Sequence, residues 1–336
     1  MDKKANGFSL VYIYYILFFL GIHSLNIESK IRIMTFQYNR PDFVEYQYLG
    51  LSKFLKDDFE LYVVNDAPNN ALRESIQTVC NSYPIIHVDY SPDWHIENIL
   101  NKEIQDKITT PRSNRWFNYP IINGKVELSD IANQCSVRHA HLINYVMDKF
   151  GYGHEDILVI LDGDVFPLKP FSFREILAGH SFTGLDREVQ NGSTKINFPW
   201  VACMILDPVK LPNFREMKFG FSLVDGILAD TGSQVLEYFE KFPQIAMRLF
   251  PRLFHRENGI NIQKGDFNIL KNIMPLKTLR KLKYPIDFEF FFDGILMHIG
   301  AGTCPHSSAR EKNFNLILDS VIGKKRFCPN FEKRKN

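Results

Sequence analysis

The sequence predicts an α/β fold, a mainly parallel sheet with helices on both faces. Short apolar runs at Ile31–Phe36, Leu61–Val64, Ile85–Val88 and Ile157–Leu161 have the length and composition of buried strands. Amphipathic helical stretches lie between them, one ending near Lys56 and one over about Ala71–Cys80. Strands that alternate with helices imply parallel pairing, because the crossovers cover both faces of the sheet. In such sheets ligands gather outside the carboxyl ends of the strands. Arg40, Asp66, Asp162 and Asp164 all fall at such ends.

The chain is organised around Ile157-Leu158-Val159-Ile160-Leu161-Asp162-Gly163-Asp164-Val165-Phe166. Five consecutive apolar residues read as a strand buried on both faces. Residues i and i+2 of an extended segment point the same way, so Asp162 and Asp164 project together from the strand end. Gly163 is expected to let a bulky anion approach the backbone between them. Two such carboxylates repel unless a partner intervenes. Mn²⁺ or Mg²⁺ removes the conflict, since these ions take hard oxygen ligands and leave positions for substrate phosphates. A solvated turn is the plain alternative for a bare Asp-x-Asp.

Residues 1–30 stand apart from this fold. Lys3 and Lys4 precede an apolar run from Phe8 to Ile22 that extends weakly to Leu25. The run is short for a bilayer span of roughly 20 residues, and longer than a signal-peptide core needs. Its Tyr and Phe content, without an Ala-x-Ala pattern, favours a retained anchor over residues 8–25. The expected setting is therefore membrane-associated or secretory, with the side of the membrane open. The remaining expected units are a catalytic domain over 31–323 and a charged tail over 324–336.

At 336 residues and 45% hydrophobic content the chain can bury a large core. A net charge of +2 argues against nucleic acid as a partner. Cys80, Cys135, Cys203, Cys304 and Cys328 are scattered without a Cys-x-x-Cys pair, which argues against a zinc site or a dense disulfide framework.

The segment Ile33-Met34-Thr35-Phe36-Gln37-Tyr38-Asn39-Arg40-Pro41, followed by Val63-Val64-Asn65-Asp66, resembles the opening of the family-two glycosyltransferases of the GT-A fold. Ser136-Val137-Arg138-His139 is similar to that family's Ala-Ala-Arg-Asn element, and Asp162-Gly163-Asp164 stands where the family has its metal-binding Asp-x-Asp. The family's usual Asp-Asp pair is here Asn65-Asp66, so only Asp66 carries over. The resemblance covers about residues 31–170. It implies a GT-A sheet and a nucleotide-diphosphate sugar donor. Thr35, Tyr38, Asn39, Arg40, Asp66, Arg138 and Asp162 are the implied donor-binding residues, and Asp162 meets either the ribose or the metal. The strand Ile295–Ile299, which enters a loop with Gly300 and Gly302, places His298 where many GT-A enzymes have a His on the metal or the diphosphate. The implied acceptor is a carbohydrate, a glycolipid or a protein.

The rest of the chain is less specific. Residues 91–130 read as an insertion mixing Trp94, Arg112, Arg115 and Trp116, either a lid or a surface excursion. Ser129-Asp130 then offers a capping signal for a helix running to Phe150 and ended by Gly151. His139 and His141 read as helix-surface or half-buried histidines. Phe182–Asp186 and Phe198–Leu206 read as strands, with Asn191-Gly192-Ser193 an exposed turn that matches a glycosylation acceptor. Trp200 is a sugar-stacking residue or a core aromatic. An inverting transfer needs a carboxylate to take the acceptor's proton. Asp230 is placed best for it and Asp225 second, although Asp230 also has the context of a helix cap. Residues 241–285 read as helical and basic, a solvated face or one for anionic groups.

Two other functions fit part of the pattern. Asp162-Gly163-Asp164 after an apolar strand also resembles the haloacid-dehalogenase phosphohydrolases, with Asp162 as nucleophile, although Phe166 departs from their pattern. A non-catalytic nucleotide- or sugar-binding module would keep the same fold.

Overall fold

The computed structural model describes residues 30–90, 135–191, 194–225, 227–251, 264–282, 288–299 and 308–323. The proposed anchor over 8–25, the insertion over 91–130 with its Ser129-Asp130 cap, Gly192-Ser193, Arg252, Arg256, Lys283, the Gly300–Gly302 loop and the 324–336 tail lie outside the described residues. Among the described residues no helix is long and apolar enough to cross a membrane.

Strands β1 (Ile31–Gln37), β2 (Phe59–Asn65), β3 (Ile85–Asp89) and β4 (Leu158–Asp162) pair in parallel in the order β4-β1-β2-β3. Helix α1 (Pro41–Phe54) links β1 to β2, α2 (Asn70–Asn81) links β2 to β3, and α3 (Cys135–Val146) precedes β4. Pro41 opens α1, where a missing N–H costs nothing, and the Asn69 side chain caps α2 by accepting from Leu72 N at 3.0 Å. A π-helical turn, Met147–Gly151, finishes α3. It closes tightly, since a Cβ at Gly151 would lie 2.6 Å from Met147 Sδ.

Two short elements, β5 (Val165–Pro167) and α4 (Phe173–Leu177), lead into the long hairpin of β6 (Phe182–Asn191) and β7 (Thr194–Leu206). Strand β7 inserts antiparallel between β4 and β6, and β10 (Met247–Phe250) lies parallel on β6. The seven-stranded sheet is thus mainly parallel, ordered β10-β6-β7-β4-β1-β2-β3. A small hairpin, β8 (Ser222–Val224) with β9 (Ile227–Ala229), precedes α5 (Val235–Lys241). The stretch read as uniformly helical over 241–285 is instead broken. It holds strand β10 and two separate helices, α6 (Lys264–Ile273) and α7 (Leu276–Leu279). Strands β11 (Glu289–Phe291) and β12 (Leu296–His298) form a hairpin that joins β5 in a second sheet, and α8 (Ser308–Val321) follows.

Strand periodicity divides the core. Ile33, Val63, Val159 and Leu161 face α1 and α2, where Val44, Leu51 and Ile76 meet them. The alternate residues Met34, Tyr62, Val64, Leu158 and Ile160 face Leu142, Ile143 and Val146 of α3 and Tyr238 of α5. Both faces are buried, which is why these strands read as mainly apolar runs. A third cluster packs Phe43 and Tyr46 of α1 and Phe166 of β5 against Phe290, Met297, Phe314 and Ile317. It fixes the small sheet against the large one.

Candidate functional site

The chain runs from β1 outward through β2 and β3, then returns to the other side of β1 with β4. The crevice beyond the ends of β1 and β4 is therefore the topological switch point, where α/β sheets place ligands. Asp162-Gly163-Asp164 turns there. A Cβ at Gly163 would stand 2.1 Å from Phe36 O and 2.7 Å from Gln37 Nε2. What approaches the glycine is thus the end of β1, and this corrects the expectation that Gly163 makes room for an anion. Gln37 Nε2 donates to Gly163 O at 3.0 Å. Fully buried Gln47 of α1 donates to Asp162 O at 2.7 Å and to Val165 O at 3.1 Å, and accepts from Thr35 Oγ1 at 2.9 Å. Two glutamines thus hold the turn that carries the carboxylates.

The antiparallel register of β5 with β12 places His298 opposite Val165, and Ile299 N donates to Asp164 O at 3.1 Å. One ligand atom from each of Asp162, Asp164 and His298 then lies within 4.8 Å of the others. His298 Nε2 is 3.2 Å from Asp164 Oδ1, and its Nδ1 is 2.7 Å from Glu289 Oε2 across the β11–β12 hairpin. Burial by itself lowers the imidazole pKa, but Asp164 and Glu289 outweigh it and push His298 up to about 10. Burial, reinforced by the Asp164 charge, raises Asp162, while His139, His298 and Arg187 oppose the shift. Asp162 Oδ1 and His139 Nε2 face each other at 3.2 Å, yet both atoms are buried and neither has an aligned hydrogen bond.

These residues suit a divalent cation. They offer two carboxylates and an imidazole, a donor set that suits Mn²⁺, and a buried carboxylate oxygen without a hydrogen bond. Glu289 fixes the His298 ring by holding Nδ1, so that Nε2 faces the carboxylates.

On the β2 side of the cluster, buried Asp66 pairs with Arg138 at 2.5 Å, and the Arg138 guanidinium lies 4.9 Å from the Tyr38 ring centre. Burial raises the Asp66 pKa against the opposing charge and hydrogen bond of Arg138. Asn65 does not act beside it as a second acid would. Its amide donates to Arg73 O and contacts His87 Nε2, both at 3.0 Å. Arg73 reaches Asn65 O, Ala67 O and Tyr90 O, which ties the β2 and β3 ends together.

On the β6–β7 side, Arg187 pairs with Asp230 at 2.9 Å and lies 5.0 Å from the Trp200 ring centre. The half-buried Trp200 stands edge-on to His298, 5.0 Å between ring centres.

Several expected site residues take other places. Arg40 bonds Asp42 at 2.9 and 2.7 Å and Glu311 at 3.2 and 2.8 Å, and it packs on Phe43 at 3.8 Å. Four of these bonds leave it little capacity for a phosphate, so it clamps α1 to α8. Thr35 is fully buried and supports Gln47 from behind. Asp225 is exposed at the β8–β9 turn with φ of 50°, the left-handed backbone that Asp tolerates in turns. Asp230 Oδ1 accepts from Thr231 N at 2.7 Å and from Thr231 Oγ1 at 3.3 Å, while Oδ2 pairs with Arg187 and has a second lone pair beside it. Tyr38 and Asn39 are half-buried in the loop after β1. The sequence reading missed Gln37, Gln47, Glu289 and Arg187 and placed His139 away from the site. Only the pairing of distant strands and helices brings these residues to the carboxylates.

No family model matches the chain, and no curated protein matches it. Among solved structures it is similar to the apo WbbM bifunctional glycosyltransferase, at 5% identity over 67% of this chain and 39% of that one, TM-score 0.37. The mannosyltransferase PcManGT from Pyrobaculum calidifontis, solved with GDP-Man and Mn²⁺, matches at 11% identity over 76% of this chain and 66% of that one, TM-score 0.37. The galactosyltransferase LgtC, solved with donor and acceptor sugar analogues, matches at 9% identity over 86% of this chain and 96% of that one, TM-score 0.40. The chain thus spans less than two thirds of the length of the first two. With TM-scores of 0.40 and below these likenesses carry no argument, and the functional reading rests on the chain's own geometry.

Proposed function

We propose that the chain is a metal-dependent glycosyltransferase that moves a sugar from a nucleotide diphosphate to a carbohydrate, glycolipid or protein acceptor. One observation carries the reading. Asp162, Asp164 and His298 converge within 4.8 Å at the switch point, beside buried Asp66 and its half-buried partner Arg138. Asp66 would accept hydrogen bonds from the nucleoside, with Arg138 and Tyr38 lining the same end. Asp162, Asp164 and His298 would hold Mn²⁺ or Mg²⁺, and Glu289 would keep His298 Nε2 directed at the ion. A cation bound there supplies Lewis-acid neutralisation of the charge growing on the departing nucleoside diphosphate. The buried setting of Asp164 and His298 keeps bulk water from the charges, which strengthens each electrostatic contact. We further propose that residues 8–25 tether the domain to a membrane, a reading that rests on the apolar run in the sequence.

Thermal unfolding with UDP or GDP, with and without Mn²⁺, tests the assignment. Stabilisation is expected only when metal and nucleotide are both present, and Asp164→Ala should abolish it. Release of nucleotide from a panel of nucleotide sugars separates a transferase from a binding module. Turnover of an aryl phosphate that is lost in Asp162→Asn would instead assign the phosphohydrolase chemistry.

A further inference from the structure

We propose that Arg187, Asp230 and Trp200 form the sugar subsite of this centre, and that it takes a neutral hexose in preference to a sugar acid. The inference rests on the nucleotide-sugar reading above and names the substrate class. Sheet order carries it first. Asp66 ends β2 and the Asp162–Asp164–His298 cluster ends β4, with β1 between them; β7 and β6 follow on the far side. A ligand with its nucleoside at Asp66 and its diphosphate at the cluster therefore continues toward β7 and β6. Leu161 pairs with Cys203, so Trp200 stands beyond the end of β4, and Arg187 pairs with Phe198 farther out on the same hairpin.

The chemistry of the three side chains carries it second. The Trp200 ring centre lies 5.0 Å from that of His298, edge-on, and 5.0 Å from the Arg187 guanidinium, which joins the hairpin to the cluster. An aromatic ring suits the apolar face of a sugar. Arg187 donors and Asp230 Oδ2 stand side by side at 2.9 Å, a match for hydroxyls that both donate and accept. Asp230 also compensates the Arg187 charge, so a sugar carboxylate would meet no uncompensated cation and would approach Asp230 instead. This assigns Asp230 to sugar recognition in place of proton abstraction.

The test uses the full chain in Mn²⁺ and compares the Kd values of UDP, UDP-glucose and UDP-glucuronate, with GDP, GDP-mannose and GDP-mannuronate in parallel. Wild type should bind the hexose form about ten-fold more tightly than the hexuronate, and Asp230→Asn should close most of that gap. Arg187→Gln and Arg187→Lys should bind the plain nucleoside diphosphate as wild type does, yet lose the affinity that the sugar adds. A wild-type preference for hexuronate, an unchanged ratio in Asp230→Asn, or equal loss of plain nucleotide and sugar nucleotide in both Arg187 variants would overturn the inference while leaving the nucleotide site intact. If no nucleotide binds wild type with Mn²⁺, both readings fall. Trp200→Phe, which keeps a ring, gives a third measurement should the charged variants unfold.

Discussion

Adding one methyl group at Gly163 tests the packing that holds the two carboxylates in place. An alanine Cβ would lie 2.1 Å from Phe36 O and 2.7 Å from Gln37 Nε2, far inside contact distance. Gln37 can swing away, but Phe36 O belongs to the backbone of a strand paired on both sides. The turn must therefore retreat from β1, and the Gln37–Gly163 hydrogen bond at 3.0 Å is lost with it. Overpacking of this kind costs about 1–3 kcal/mol, and the hydrogen bond adds about 1 kcal/mol. At roughly 2–4 °C per kcal/mol for a domain of this size class, Gly163→Ala should lower Tm by about 4–16 °C. The retreat moves Asp162 and Asp164 as well, so Mn²⁺-dependent stabilisation by nucleotide should fall further than Tm alone would suggest. Thermal unfolding with and without Mn²⁺ and UDP or GDP reads both effects. A variant that matches wild type in Tm and in metal-linked stabilisation would show that the turn does not depend on this contact.

Three further outcomes follow from the same geometry. Glu289→Gln removes the carboxylate that orients His298, and Mn²⁺ affinity by electron paramagnetic resonance should drop about 10–100-fold with the fold retained. Arg40→Ala removes the guanidinium that bonds buried Asp42 twice and ties it to Glu311, so stability to urea should fall by about 1–3 kcal/mol while nucleotide and metal affinity hold. Burial lowers the pKa values of His87, His141 and His154, so each stays neutral in the fold at pH values where the unfolded chain takes up a proton. His298, held charged in the fold, works the other way, but it is one group against three. Stability should therefore fall as pH drops below about 6.5, before the carboxylates titrate, and His87→Gln should flatten that slope. A urea midpoint constant from pH 7 to 5 would contradict this.

The parallel half of the sheet was legible because strands buried on both faces must be largely apolar, and β4 and the inner parts of β1 and β2 are. The meeting of Asp162 and Asp164 was legible for a related reason, since residues i and i+2 at the end of such a strand point the same way. His298 was singled out by the resemblance, and the structure brings it within 4.8 Å of the two carboxylates. Arg40 misled because its sequence context cannot display Glu311, a residue of α8 that neutralises it. Asp225 and Asp230 misled because a loop acid that traps a proton and one that shapes a turn or pairs with a neighbour look alike before the chain folds.

The sequence by itself determined the alternation of strands and helices, the buried β4 run and the two acids at its end, because these follow from local periodicity and from the cost of burying charge. Tertiary structure alone decided the remainder. The pairing of β5 with β12 carries His298 to Asp164, and the register of β11 with β12 carries Glu289 to His298. The β6–β7 hairpin brings Arg187 and Trp200 beside the same cluster. Asp164 and His298 are far apart in the chain, and each hairpin reaches the cluster only through backbone pairings whose partners no local pattern specifies.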